Sequence, residues 1–243
     1  MNSRGTPRDD AQVGRADLGK DPEEVSSMFD GVARRYDLVN DLLSLGQTRR
    51  WRKSVVKIID PKPGMKILDI AAGPGSSSEP LHLMGADVIA LDFSEGMLEQ
   101  GRKVRPYLSF IKGDALNLPF ENNRFDVTTI SFGIRNTKDY EAALREALRV
   151  TKPGGRMVIV EFSTPTSKFF RNIYMNYLMK FLPKIAEKTA SNPDAYVYLA
   201  ESIRAWPDQK ALASKMSANS WLQPSWVNLT GGVVAVHTGI KAS

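Results

Sequence analysis

Lys66-Ile67-Leu68-Asp69-Ile70-Ala71-Ala72-Gly73-Pro74-Gly75 is the stretch that decides how this chain folds. Ile67, Leu68 and Ile70 give a short buried strand. Gly73-Pro74-Gly75 gives a turn in which the backbone can bend sharply and let a ligand come close, before a helix begins. A second apolar run, Asp87-Val88-Ile89-Ala90-Leu91, ends in Asp92. In an open α/β sheet the carboxyl ends of such strands share one ligand-binding edge. A carboxylate at that edge can accept both hydroxyls of a ribose, so the pattern points to a nucleoside cofactor. The plain alternative is an ordinary βα turn whose strand-end aspartate caps the backbone.

Which nucleoside follows from what the loop lacks. A dinucleotide fingerprint uses a third glycine so that a helix N-terminus can receive a pyrophosphate, and here Ser78 takes that place. Asp69 stands just before the loop, where a carboxylate would repel a pyrophosphate and attract a cation. S-adenosylmethionine, with an ammonium and a sulfonium and no phosphate, fits those charges. A third strand, ending Ile111-Lys112-Gly113-Asp114-Ala115, offers a further carboxylate for an adenine amino group.

Around this centre the pattern alternates. Strands are expected at 66–70, 87–91, 107–112, 125–131 and 156–162, with helices at 76–84, 95–104 and 139–151. Such alternation implies a mostly parallel sheet with right-handed crossovers. Val150-Thr151-Lys152-Pro153-Gly154-Gly155 reads as a helix stop and a tight turn. Residues 22–59 read as two or three short helices, and 167–182, 193–204 and 208–219 as further helices. Two closing strands near 225–229 and 233–240 flank a Gly231-Gly232 hairpin connection. Residues 1–20 form a polar tail expected to be disordered. The organisation expected is therefore a tail at 1–20 and one domain at 21–243, with a helical cap at 21–60 and a helical insertion at 166–220.

Composition narrows the function classes. With 243 residues and 42% hydrophobic content the chain can build one sizeable α/β core. It has no cysteine and only His82 and His237, which argues against disulfides and against a thiolate or imidazole metal site. No run of 18 or more apolar residues and no secretory signal is present, so a cytoplasmic location is expected. A net charge of +6 permits an anionic partner. The densest basic cluster, Arg49-Arg50-Trp51-Arg52-Lys53, reads either as a solvated helix face or as a patch whose Trp sits at a lipid headgroup boundary.

Asp69, Gly73, Gly75, Asp92, Asp114 and the Pro153-Gly154-Gly155 turn, in this order and spacing, resemble the class I S-adenosylmethionine-dependent methyltransferases. Two stretches narrow the resemblance. Tyr36-Asp37-Leu38-Val39-Asn40-Asp41-Leu42-Leu43-Ser44-Leu45-Gly46 with Trp51, and Arg149 to Gly155 through Glu161-Phe162-Ser163, are similar to the two signatures of the ubiquinone/menaquinone biosynthesis C-methyltransferases. Ile130 to Asn136, Tyr198 to Ile203 and Asn228 to Gly232 match as well, so the similarity runs from about 22 to 240. The resemblance implies a Rossmann-like three-layer α/β sandwich with a seven-stranded, mostly parallel sheet ending in an antiparallel hairpin. It implies S-adenosylmethionine as cofactor and methylation of a ring carbon of demethylmenaquinol. The alternatives are a ubiquinol precursor, both quinols, or a non-catalytic cofactor-binding component of a quinone-synthesis complex. An RNA substrate is disfavoured, because neither an added basic domain nor a base-stacking motif is found.

Carried over residue by residue, the resemblance assigns Asp69, Gly73, Pro74, Gly75, Asp92, Phe93, Met97, Asp114, Ala115, Ser131 and Asn136 to the cofactor, and Arg135, Tyr36 and Asn40 to catalysis or substrate contact. For Arg135 a structural ion pair is the competing reading. Glu161 either faces substrate or binds loop amides. Two positions depart from the family: Thr48 stands where a His is usual, and Pro74 where a Thr is usual, which removes a side-chain hydrogen bond at the loop. A polyprenylated quinol implies an apolar cover. Phe169, Phe170, Ile173, Tyr174, Tyr177, Leu178, Phe181 and Leu182 form a wide aromatic stripe that either lines a lipid channel, touches membrane lipid, or packs on the sheet, with Pro183 ending the helix. A homodimer is also compatible with the resemblance.

Overall fold

The computed structural model describes residues 19–32, 44, 46–181 and 193–243. Residues 1–18 of the tail expected at 1–20 lie outside these residues, as do Tyr36, Asn40, Leu182 and Pro183. The elements are α1 Pro22–Val32, α2 Thr48–Ile59, β1 Lys66–Ile70, α3 Ser78–Leu83, β2 Asp87–Asp92, α4 Glu95–Val104, β3 Ser109–Lys112, β4 Phe125–Ser131, α5 Tyr140–Val150, β5 Thr151–Phe162, α6 Lys168–Asn176, α7 Pro193–Ala205, α8 Gln209–Ala218, β6 Leu222–Leu229 and β7 Val234–Ile240.

The seven strands form one sheet in the order β3-β2-β1-β4-β5-β7-β6. β1 pairs in parallel with β2 and β4, and β2 with β3 and β4 with β5 likewise. β7 runs antiparallel to both β5 and β6. Alternation along the strands feeds two apolar layers. Ile67, Val127, Val158 and Val160 pack with Trp51, Val55 and Ile59 of α2 and Leu81 of α3. Leu68, Ile70, Ile130 and Ile159 pack with Leu144 and Ala147 of α5 and Leu212 and Met216 of α8. Trp51, Val55 and Ile59 recur every fourth residue, so one stripe of α2 is buried while Arg49, Arg50 and Lys53 stay exposed.

Helix starts are fixed by short side chains. Ser94, Asp139 and Asp208 accept hydrogen bonds from the backbone N–H groups of Met97, Ala142 and Ala211, each cap being worth about 1 kcal/mol. The strand–helix alternation, the hairpin and the order of elements are as read from the sequence. Several boundaries differ: β3 begins at Ser109 rather than 107 and β6 at Leu222 rather than 225, and three others have a local cause. β5 begins at Thr151 rather than 156, because the Pro153-Gly154-Gly155 turn is taken up as an irregularity in the β4–β5 register. α3 begins at Ser78 rather than 76, since the loop consumes Ser76 and Ser77. α6 stops at Asn176 and continues as a π-helical turn over Tyr177–Phe181.

Candidate active site

Two clefts open at the carboxyl ends of β1, β2 and β4. The first spans about 810 Å³, open to solvent, and its lining includes Gly73, Asp92, Phe93, Met97, Asp114, Ala115 and Asn136. All seven were assigned to the cofactor from the sequence. Asp92, the last residue of β2, accepts from Gly73 N at 2.7 Å through one carboxylate oxygen and from Ser94 N at 2.9 Å through the other. The carboxylate thereby ties the glycine loop to the start of α4 and stays at the cleft wall. Asp114 Oδ1 accepts from Leu116 N at 2.9 Å, which holds the loop after β3 against the same cleft. Lys20, Val25 and Ser26 close it from the N-terminal side, a contribution that no motif in the sequence announces.

The remaining loop residues do other work. Pro74 lends its carbonyl to Arg105 Nη1 at 3.1 Å. Gly75 holds φ +83°, and a Cβ there would sit 2.9 Å from Leu108 Cδ1 and Phe110 Cζ, so the loop packs tightly only because this residue is glycine. Neither residue lines the first cleft, and Ser131 borders the second one instead.

The second cleft, about 710 Å³, is lined mainly by Trp51, Val55, Val56, Leu81, Phe132 and Phe162, with Thr48, Ser76 and Ser77 as polar members. Its aromatic wall is built from three elements: Phe132 and Phe162 have ring centres 5.0 Å apart, and Trp51 meets Phe162 edge-on at 6.4 Å. Trp51 is buried, and its indole N–H donates to Thr230 Oγ1 at 2.8 Å. The reading of Trp51 as a lipid-boundary side chain is therefore corrected: α2 turns it inward and leaves only its basic neighbours outside. At the departing position, Thr48 Oγ1 lies 2.6 Å from Ser44 Oγ, so the hydroxyl is satisfied within the helix entry. Phe132 borders both clefts. It holds φ +57°, an uncommon conformation for a bulky side chain, directly after β4.

Asp69 lines neither cleft and is fully buried in β1. Its Oδ2 accepts from Ser77 Oγ at 2.7 Å and Ser78 Oγ at 2.6 Å, while Oδ1 has no partner among the described residues. Burial pushes its carboxyl up to about 6, with the two serine hydroxyls pulling the other way. A buried, unpartnered carboxylate oxygen behind the glycine loop fits a cationic cofactor group. Together with the Asp92 and Asp114 carboxylates, this set of acceptors suits the hydroxyl, amino and ammonium groups of S-adenosylmethionine.

Arg135 sits on a 3₁₀ turn, Ile134–Asn136; it is buried and lines neither cleft, although its neighbours Gly133 and Asn136 line the first. Its Nη1 donates to Glu161 Oε1 at 2.8 Å and to Phe132 O at 2.7 Å, and both side chains of the ion pair are almost fully enclosed. Burial raises the Glu161 carboxyl above its ordinary range against the pull of Arg135. Glu161 also accepts from Phe162 N at 2.8 Å, so it binds loop amides and the guanidinium at once. The ion-pair reading of Arg135 thus describes its resting geometry. Arg135 Nε nevertheless has no partner among the described residues.

Residues 17–241 match the model of the ubiE/COQ5 methyltransferase family. A demethylmenaquinone methyltransferase of Paenarthrobacter aurescens is 59% identical over 229 residues, covering 94% of this chain and 90% of that protein. One of Streptomyces avermitilis is 58% identical over 228 residues, covering 94% and 99%. Among solved structures, a SAM-dependent methyltransferase of Thermotoga maritima superposes with a TM-score of 0.66 at 21% identity, over 88% of this chain and 99% of that one. At that identity the likeness is one of fold.

Proposed function

The chain belongs to the ubiE/COQ5 methyltransferase family, and on that premise we propose that it methylates a ring carbon of reduced demethylmenaquinone. The observation that carries this reading is the pair of clefts meeting at Phe132, one carrying the Asp92 and Asp114 carboxylates and the other walled mainly by aromatic and aliphatic side chains. When bound, S-adenosylmethionine supplies an electrophilic methyl group. Asp92 and Asp114 hold the nucleoside end, and Asp69 offers its unpartnered oxygen to the ammonium. Trp51, Phe132 and Phe162 receive a flat aromatic ring and keep water from it. Water exclusion favours a reaction in which a phenolate-like carbon and a cation neutralise each other, and positioning supplies most of the remaining acceleration.

A hydroquinone hydroxyl titrates near pH 10, as a tyrosine does. The Arg135 guanidinium lowers that barrier by stabilising the oxyanion. It cannot itself take the proton, because a guanidinium is never deprotonated in a protein, so the proton leaves to water. Along α6 and the π-helical turn that follows it, Tyr174 and Leu178 turn inward while Phe169 is 76% and Ile173 50% exposed, flanked by Lys168 and Arg171. This exposed end supports contact with the polyprenyl tail or with membrane lipid, since apolar side chains beside cations suit an anionic lipid surface. No helix among the described residues is long and apolar enough to cross a membrane.

The test is a paired assay with methyl-labelled S-adenosylmethionine, reduced demethylmenaquinone in one tube and a reduced ubiquinone precursor in the other, each in detergent. Label in the first alone supports the reading, and label in both makes the enzyme serve two pathways. Label in neither, with the cofactor still bound, removes the quinol reading and leaves a cofactor-binding protein without this chemistry.

A further inference from the structure

Tyr174 of α6 has no part in the reaction sketched above, yet its hydroxyl is enclosed and has no hydrogen-bond partner among the described residues. The residue is only 8% exposed. An unpaired buried hydroxyl is destabilising, and packing alone gives no reason to keep it when phenylalanine would fill the same space. A second orphan lies nearby: Nε of Arg135, whose Nη1 is already committed to Glu161 and Phe132. Arg135 lies against Phe162, a wall of the aromatic cleft. The guanidinium carbon lies 5.3 Å from the Phe162 ring centre, and Tyr174 shares an apolar cluster with that ring. The charges of Arg135 and Glu161 both reach the Tyr174 hydroxyl, and burial holds it protonated. It is thus a neutral group, able to donate to an oxygen. The π-helical turn at Tyr177–Phe181 begins just after Tyr174, and such widened turns recur at functional sites.

One N–H and one O–H, both buried and both unmet, each call for an acceptor oxygen. We propose that Tyr174 Oη and Arg135 Nε together hold one oxygen, either the acceptor's ring oxygen beside the carbon that takes the methyl group, or a water bonded to that oxygen. Tyr174 is then a positioning residue that sets the rotation of the ring in the aromatic cleft, a role that rests on the methyl-transfer reading above. In either arrangement the oxyanion formed on the ring meets two donors, one of them charged.

The test compares the full chain with its Tyr174→Phe variant. Calorimetric titration with 1-naphthol and with naphthalene separates oxygen binding from ring burial, and methyl transfer and thermal melting are measured on the same samples. The melting temperature is expected to hold or rise, because an unsatisfied polar group has been removed, and naphthalene binding to stay the same. If the ring oxygen is held directly, naphthol binds about tenfold more weakly to the variant. If a water is held, naphthol binding is unchanged while kcat falls about tenfold and KM stays. Equal naphthol binding with equal kcat would overturn the inference. So would a naphthol affinity no better than that of naphthalene in the unmodified chain combined with an unchanged kcat, or a variant that melts lower and loses both probes alike. If the unmodified chain transfers no methyl to the quinol, the methyl-transfer reading fails on its own; weaker naphthol binding by the variant then still supports the Tyr174 site, and unchanged naphthol binding overturns it.

Discussion

Replacing Asp69 by Asn should make the cofactor-free protein more stable and the cofactor-bound protein weaker. Burial raises this carboxyl from 3.8 to about 6. Between those values the folded chain holds a proton that the unfolded chain has released, so stability falls as pH rises through the window, and the whole cost is present above it. The difference corresponds to about 3 kcal/mol at pH 8. Asn removes the titration and can set its amide oxygen where Oδ2 accepts from Ser77 and Ser78, but a neutral acceptor makes weaker bonds than a carboxylate, giving back about 1 kcal/mol. The net expectation is a gain of roughly 2 kcal/mol at pH 8 that vanishes near pH 4, where Asp69 is protonated and nearly isosteric with Asn. Affinity for S-adenosylmethionine should fall about 10- to 100-fold, the worth of a buried hydrogen bond to a charged group. Urea unfolding from pH 4 to 8 and calorimetric titration of the cofactor measure both. An unchanged affinity, with stability of the two proteins running parallel across pH, would refute the role given to the unpartnered Oδ1.

Gly75→Ala forces a Cβ to within 2.9 Å of Leu108 and Phe110 at φ +83°. It should cost about 1–3 kcal/mol in unfolding free energy and weaken cofactor binding, with melting and titration as the readouts. Glu161→Gln strips the buried Arg135 of its counter-charge and should cost about 3–5 kcal/mol, whereas replacing Arg135 and Glu161 together by Met should cost much less while still abolishing transfer. Phe169→Glu should leave the melting temperature and activity on a short-chain quinol unchanged, because the side chain is mostly exposed, and should reduce sedimentation with vesicles containing anionic lipid.

The cofactor half of the site was legible because its chemistry is local. A glycine turn, a strand-end carboxylate and a helix cap each depend on residues close in sequence, and Asp92 gathers them by bonding Gly73 and Ser94. The acceptor half depends on distant partners. Arg135 and Glu161 meet only because β4 and β5 pair in parallel, placing the turn after β4 beside the end of β5. Trp51 looked like a surface residue among four cations, and only the four-residue spacing with Val55 and Ile59 gives its inward face away. The positive φ of Phe132 and the π turn after Tyr174 have no sequence signal, since neither position carries the glycine or proline that usually marks an irregular backbone.

The most direct test of the two-cleft arrangement is a crystal structure of the protein with S-adenosylhomocysteine and a reduced naphthoquinone that lacks the ring methyl group. The expected result places the nucleoside against Asp92 and Asp114 and the naphthol ring between Trp51 and Phe162, with Phe132 at the junction and the unsubstituted ring carbon facing the sulfur. A ring bound outside the aromatic cleft, or a nucleoside bound away from Asp92, would contradict it.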